Sequence, residues 1–108
     1  MRSILIAGGL CLVVAAGAAA QDAKAKGEKL FVEQKCSLCH SIAGKGNAKG
    51  PLDAVGSKDT PDDIRAWLVD AKGMAAKTKA TRKPEMKQFT LAKDDVDALV
   101  AYLSSLKK

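Results

Sequence analysis

Three stretches of the chain place apolar residues at helical spacing. Weaker patterns cover about residues 22–35 and 60–73, and the clearest covers about residues 92–106, with a stripe formed by Val96, Leu99, Val100, Leu103 and Leu106. Segments rich in Gly, Lys and Pro, at residues 41–59 and 74–89, separate these stretches and are predicted to be loops. Because no run alternates apolar and polar residues as a half-buried strand does, the pattern predicts an all-α domain with three main helices.

Capping signals predict where the second and third helices begin and end. Thr60 is a good N-cap because its hydroxyl can accept a bond from the first turn, and Pro61 suits the first helical position. Gly73 is expected to end the second helix. Thr90 is a better cap for the third helix than Ala92, whose side chain has no acceptor.

The N-terminus has the pattern of an export signal. Arg2 precedes an apolar run over residues 4–20, which ends in three alanines directly before Gln21. We therefore predict residues 1–20 to be a cleaved signal peptide and residues 21–108 to be one mature domain. The alternative is an uncleaved membrane anchor, for which a run of about 17 residues is at the lower limit of length.

The charge balance is basic, with a formal net charge of +6. Such a charge suits an acidic partner, a nucleic acid or an anionic surface, or simply keeps a small protein in solution. The lysines are scattered and aromatic residues make up only 4% of the chain, so no nucleic-acid stacking platform is expected. The scarcity of large apolar residues also predicts that a non-protein group completes the core, and that the chain without it is largely unfolded.

The chemistry is concentrated in one pentapeptide, Cys36-Ser37-Leu38-Cys39-His40, which has the Cys-x-x-Cys-His pattern of c-type haem attachment. Thiols three positions apart can lie on one side of a turn and reach the two vinyl groups of one porphyrin. The adjacent imidazole then lies under the iron as its proximal ligand. The motif predicts one covalently bound haem c, attached through Cys36 and Cys39, with His40 on the iron.

Other uses of a cysteine pair fit the sequence less well. A thioredoxin-like dithiol needs a βαβ pattern, which is missing from this sequence. A structural zinc site needs four Cys or His ligands, but His40 is the only histidine and the third cysteine, Cys11, falls in the predicted signal. The sixth position of a haem iron can be filled by a methionine, filled by a lysine or left open, and the methionine candidates in the mature chain are Met74 and Met86.

With these residues the mature chain resembles the class I c-type cytochromes, which are small mono-haem electron carriers. Gly27 and Phe31 are similar to the Gly-x-x-x-aromatic pattern of the family's N-terminal helix, and Leu99 and Tyr102 to the Leu-x-x-aromatic pattern of its C-terminal helix. The resemblance implies a cytochrome c-like fold in which these two helices cross closely at the glycine, with three main helices and their loops wrapped around one haem.

The resemblance also implies roles for three further residues. Gly50-Pro51-Leu52 resembles the family's Gly-Pro-x-Leu segment, in which the proline carbonyl accepts the proximal imidazole N–H, here a role for Pro51. Met86 resembles the axial methionine of the distal loop, although Lys87 follows where the family usually has proline. Trp67 can donate its indole N–H to a haem propionate, or it can simply pack in the core of an amphipathic helix.

His40 and Met86 as the two axial ligands imply a carrier of single electrons rather than an enzyme, and the export signal places this carrier in the periplasm. Its partners are expected to be a donor and an acceptor protein with acidic docking surfaces, steered by Lys35, Lys45, Lys49, Lys72, Lys83 and Lys87. A monomer with no membrane span after signal cleavage is the default. The alternatives are a cytochrome subunit of a periplasmic oxidoreductase complex, or a haem-based ligand sensor if Met86 does not bind the iron.

Overall fold

The computed structural model describes residues 10–108, with side chains from residue 19 onward. Residues 1–9 of the predicted signal peptide lie outside the described residues, and its cleavage stays a prediction. No helix within residues 10–108 is long and apolar enough to cross a membrane. In this part the chain forms α1 (Leu10–Glu33), a 3-10 turn (Cys36–Leu38), β1 (Ser41–Ile42), β2 (Lys45–Gly46), α2 (Val55–Lys58), α3 (Pro61–Val69), α4 (Ala71–Thr78) and α5 (Lys93–Ser104). The prediction of an all-α fold is confirmed.

The first and last helices, α1 and α5, cross at Gly27. A Cβ atom on this residue would overlap the Ala98 carbonyl oxygen and lie 2.6 Å from the Tyr102 Cβ atom, so only glycine permits this approach. One turn further on, the rings of Phe31 and Tyr102 meet edge to face with centroids 6.2 Å apart. The core on both sides of this crossing consists of Leu30, Phe31, Ile64, Leu68, Val96, Ala98, Leu99, Val100 and Leu103.

Gly27→Ala is expected to lower the free energy of unfolding of the holoprotein by about 3 kcal/mol, because the added methyl group forces α1 and α5 apart. Denaturant unfolding measures the difference. Glu28→Ala is the matched control, since Glu28 is exposed on the same helix, and its effect should stay within about 0.5 kcal/mol. Equal stabilities of the two variants would contradict the close crossing.

The predicted second helix is two helices, separated at Asp70. The Asp70 carboxylate accepts a bond from the Gly73 amide at 3.2 Å and so caps α4. The prediction that Gly73 ends a helix is therefore wrong, because this glycine lies in the first turn of α4, where a side chain would collide with that carboxylate. The predicted loop from residue 74 is also wrong in its first part, and Met74 is a buried residue of α4.

The two predicted N-caps have different outcomes. Thr60 caps α3 as predicted, since its Oγ1 accepts a bond from the Asp63 amide at 3.1 Å. The prediction of Thr90 is wrong. Helix α5 begins after Ala92, which makes no side-chain cap, and the acidic residues Asp94 and Asp95 of the first turn favour the positive end of the helix dipole instead.

The segment predicted as a plain loop contains a small antiparallel hairpin of β1 and β2, in which Ser41 pairs with Gly46 and Ile42 with Lys45. Ala43 and Gly44 connect the strands, and both have positive φ, 53° and 80°. Two residues with positive φ between paired strands form the turn for which Asn-Gly is the favoured sequence. The hairpin was not predicted because strands of two residues are too short to show an alternation.

Ala43→Asn is expected to raise the free energy of unfolding by about 0.5–1 kcal/mol, since asparagine tolerates the left-handed conformation that strains alanine. Thermal unfolding of the holoprotein checks this. Ala48→Asn introduces the same side chain at a nearby exposed residue that is not among those with positive φ, and it should change little. A gain of equal size in both variants would show that the turn conformation is not the cause.

Candidate functional site

A cavity of about 310 Å³ lies between the helices and is mostly apolar. This volume is at the lower end of the range of ligand pockets, about 300–1,000 Å³. Its walls come from every main segment of the domain: Phe31, Cys36, Cys39, His40, Leu52, Val55, Asp59, Ile64, Trp67, Leu68, Ala75, Ala80, Arg82, Pro84, Glu85, Met86, Leu99 and Leu103. The cavity thus brings together all the predicted site residues except Pro51.

The two cysteines reach the cavity through a tight turn. The amides of Cys39 and His40 both donate to the Cys36 carbonyl, at 3.1 and 2.9 Å, which folds the pentapeptide back on itself. Both thiols are free and half-buried. Burial raises the pKa of the Cys36 thiol, against the opposing influence of the Lys87 charge. The turn therefore presents two unpaired thiols to one apolar space.

His40 is held in one tautomer by the backbone. Its Nδ1 atom lies 3.1 Å from the Gly50 carbonyl oxygen. A carbonyl only accepts, so Nδ1 carries the proton and Nε2 keeps a free lone pair for a metal. Burial lowers the pKa of His40 and the Arg82 charge acts in the same direction, against the Gly50 hydrogen bond, which raises it. The lowered pKa favours the neutral imidazole, the form that binds metals.

The acceptor of this bond differs from the prediction, which gave it to the Pro51 carbonyl. Pro51 forms an isolated parallel bridge with Ser41, whose amide also donates to the Gly50 carbonyl, at 3.0 Å. This pairing turns the Gly50 oxygen toward the imidazole. A backbone carbonyl orients His40 as predicted, but it belongs to Gly50 and not to Pro51.

Met86 is the methionine that lines the cavity. It is half-buried and packs against the hydrophobic core. The other candidate, Met74, is 7% exposed in α4 and is not part of the wall. A flexible thioether in an apolar wall either fills space or binds a soft metal, and the second use is open to Met86 because His40 lines the same cavity.

Two side chains with N–H donors also reach the cavity wall. Trp67 lines it from α3 and is half-buried, and its contact with a haem propionate stays a prediction. Arg82 lines it from the segment before Met86, and its Nη2 atom donates to the Cys39 carbonyl at 2.6 Å. Arg65 is not part of the wall and pairs with Asp97 of α5 at 2.7 Å.

Sequence reasoning missed Asn47, which does not line the cavity but stabilises the cysteine turn through hydrogen bonds. Its amide donates to the carbonyls of Ser37 and His40, both at 3.1 Å, and its side chain donates to the Leu38 carbonyl at 3.2 Å. The dipeptide Gly46-Asn47 is a recognisable turn signal, but nothing in the sequence says which backbone it supports.

The residues present fit a covalently attached porphyrin. Two free thiols, an imidazole with a bare Nε2 and a thioether share one apolar cavity, and these are the groups that c-type haem attachment and His/Met ligation require. Together with the helical fold they define the class of c-type cytochromes.

Comparison with known proteins agrees with this class. The family model of cytochrome c matches residues 24–107, and the chain belongs to this family. Membership implies a covalently bound haem c and haem-based electron transfer. A cytochrome c oxidase subunit 2 from Alkalihalophilus pseudofirmus is 29% identical over 91 residues, which cover 76% of this chain but only 25% of that protein. The chain thus spans about a quarter of the length of this relative. No solved structure matches.

Proposed function

We propose that this protein carries single electrons between redox proteins through one haem. In this proposal Cys36 and Cys39 form the thioether links, and His40 and Met86 are the axial ligands. The observation that carries it is the convergence of both thiols, a bare imidazole nitrogen and one thioether on a single apolar cavity. When bound, the haem iron takes up and releases one electron.

Each of these residues has a separate task. The Gly50 carbonyl keeps the Nε2 lone pair of His40 available, and the Met86 sulfur stabilises the reduced state and raises the reduction potential. With His40 and Met86 both bound to the iron, oxygen or peroxide would have no free position there. The apolar walls exclude water, which limits the change in solvation when the charge of the centre changes. These properties suit outer-sphere electron transfer rather than catalysis.

The carrier function is tested by voltammetry of the holoprotein. A reversible one-electron wave is expected, unchanged when hydrogen peroxide or oxygen is added. A catalytic current with either oxidant would contradict the carrier, because it requires an axial position that substrate can reach.

For its location we propose the periplasm, with residues 1–20 removed during export. The relative named above supports a second arrangement, in which the same electron-transfer domain works as part of a redox complex. Both arrangements use the same haem site, and they differ only in whether the domain diffuses between its partners. An isolated monomer that exchanges electrons with a separate protein supports the free carrier, and co-purification with an oxidoreductase supports the subunit.

The proposal of an acidic partner protein rests on exposed lysines. Lys35, Lys45, Lys49, Lys72, Lys83 and Lys87 are all exposed, and several neighbour residues of the cavity wall in sequence. Leu38, within the haem-attachment pentapeptide, is 69% exposed. Exposed lysines and an exposed apolar side chain fit a partner whose docking face combines acidic and apolar groups.

Electron transfer to an acidic redox protein is expected to slow by about tenfold or more when the ionic strength rises from about 0.01 to 0.5 M, because salt screens the steering charges. Stopped-flow measurement of the second-order rate constant checks this. Lys58→Glu is the control for a change of charge elsewhere on the protein, since this exposed lysine in α2 is not one of the six. Its rate constant should show the same dependence on salt as that of the wild type. A rate constant independent of salt would contradict the basic docking surface.

A further inference from the structure

We propose that Arg82 is a positioning residue that holds the methionine segment, residues 81–88, closed against the cysteine turn. This segment carries Met86, so its position decides how firmly the thioether stays at the iron. The consequence for ligand exchange rests on the proposed role of Met86. The closing of the segment itself does not.

The methionine segment is tied to the rest of the protein mainly at its two ends. On one side the Ala80 amide donates to the Ala75 carbonyl at 2.9 Å, and on the other the Phe89 amide donates to the Leu68 carbonyl at 3.1 Å. Between them, residues 81–88 form no backbone hydrogen bond with any other backbone group in the described part of the chain. Backbone bonding alone therefore leaves eight consecutive residues free to move away from the cavity.

A single side chain links the methionine segment to the cysteine turn by a hydrogen bond. The Arg82 guanidinium donates from Nη2 to the Cys39 carbonyl at 2.6 Å. The other side-chain hydrogen bond of the segment, from Lys83 to Glu85 at 2.9 Å, stays within it. Among residues 19–108, the Arg82 bond is thus the only hydrogen bond that joins the methionine segment to the turn bearing Cys39 and His40. A bond from a permanently charged donor is also stronger than one between neutral groups.

The cysteine turn has room for this guanidinium because residue 50 is a glycine. A Cβ atom on Gly50 would lie 3.0 Å from the Arg82 Cζ atom and would overlap its Nη1 atom and the Cys39 carbonyl oxygen. The guanidinium thus packs directly on the backbone whose carbonyl orients His40. Arg82 consequently contacts the segments that supply both proposed axial ligands.

Loss of the Arg82 bond should increase the fraction of molecules in which the methionine segment is open. A charge-assisted hydrogen bond is worth about one factor of ten in such an equilibrium. Protease cleavage of an opened segment follows this population when opening and closing are fast. Entry of an added ligand to the iron follows it as well, because Met86 must leave first.

The test uses the holoprotein with Arg82→Ala, Arg82→Lys and the control Lys83→Ala. The control removes one positive charge from the same segment without touching the Cys39 carbonyl. It also frees Glu85 from its bond to Lys83, so it is compared in imidazole binding only. Two rates are measured: cleavage after Glu85 by a glutamate-specific protease, and imidazole binding to the oxidised protein. Arg82→Ala should raise both rates about tenfold over wild type, Arg82→Lys should fall between the two, and Lys83→Ala should change imidazole binding by less than about twofold.

Equal rates of imidazole binding for Arg82→Ala and Lys83→Ala would overturn the proposal. If Arg82→Ala fails to retain haem, Arg82→Lys against Lys83→Ala decides in the same way. A wild-type protein that binds imidazole as fast as Met86→Ala contradicts the proposed axial ligand and not the role of Arg82. In that case faster cleavage of Arg82→Ala after Glu85 supports the closing bond, and unchanged cleavage overturns it.

Discussion

Met86→Ala is expected to abolish the methionine–iron charge-transfer band of the oxidised protein and to convert the low-spin spectrum to a high-spin one. Removing the thioether opens the sixth position, so carbon monoxide should bind to the reduced form. The reduction potential should fall by on the order of 0.1 V or more, since axial ligands set potentials over a range of roughly 0.8 V. Absorption spectroscopy and potentiometric titration measure these effects.

Met74→Ala is the matched control for this experiment. Met74 is buried in α4 but does not line the cavity, so its loss should cost about 2–4 kcal/mol of stability and leave the spectrum unchanged. Two outcomes would contradict the proposed ligand. One is an unchanged charge-transfer band in Met86→Ala, and the other is loss of that band in Met74→Ala.

The double variant Cys36→Ala/Cys39→Ala is expected to lose covalent haem and most of its helical structure. The cavity is walled by residues of the hydrophobic core itself, among them Phe31, Ile64 and Leu99. Without a group that fills it, these side chains lose contact partners, and a domain of this size has little other apolar area to keep it folded. Far-UV circular dichroism should show the loss, and thermal unfolding should lose its cooperative transition.

Ser37→Ala is the control for this variant, because Ser37 is exposed in the same turn and should not affect haem attachment. Native helical content and a cooperative transition in the double cysteine variant would contradict the account. The cavity would then be a defect that the protein tolerates rather than the space of a stabilising cofactor.

The parts of the fold that were predictable have strong local or periodic signals. The stripe on α5 and the Thr60-Pro61 start of α3 were correctly predicted because each rests on helix geometry within a few residues. The close crossing at Gly27 followed from the family resemblance, and the structure gives its cause in the contact with Tyr102.

Where prediction failed, a competing local interaction was present. Gly73 is a reasonable helix stop by type, but the Asp70 carboxylate three residues earlier starts a new helix and takes the glycine into it. Thr90 is a good cap by type, yet α5 begins only after Ala92. The sequence contains these residues, but residue type alone does not choose between them.

At the site, the residues with chemistry were recognisable and those that position them were not. The spacing of Cys36, Cys39 and His40 is a motif, whereas the contacts of Gly50, Asn47 and Arg82 with this motif span ten, nine and 43 positions of the chain. Arg82 lies 43 positions from the Cys39 carbonyl that it binds. No periodicity or composition predicts a contact over such a separation.

Absorption spectra of the purified wild-type protein test the central claim most directly. One covalently bound haem, low-spin in both oxidation states, is expected, with a methionine–iron band in the oxidised form and no change of the reduced spectrum under carbon monoxide. A high-spin spectrum that shifts with carbon monoxide would contradict the electron carrier and would favour a ligand-binding haem protein.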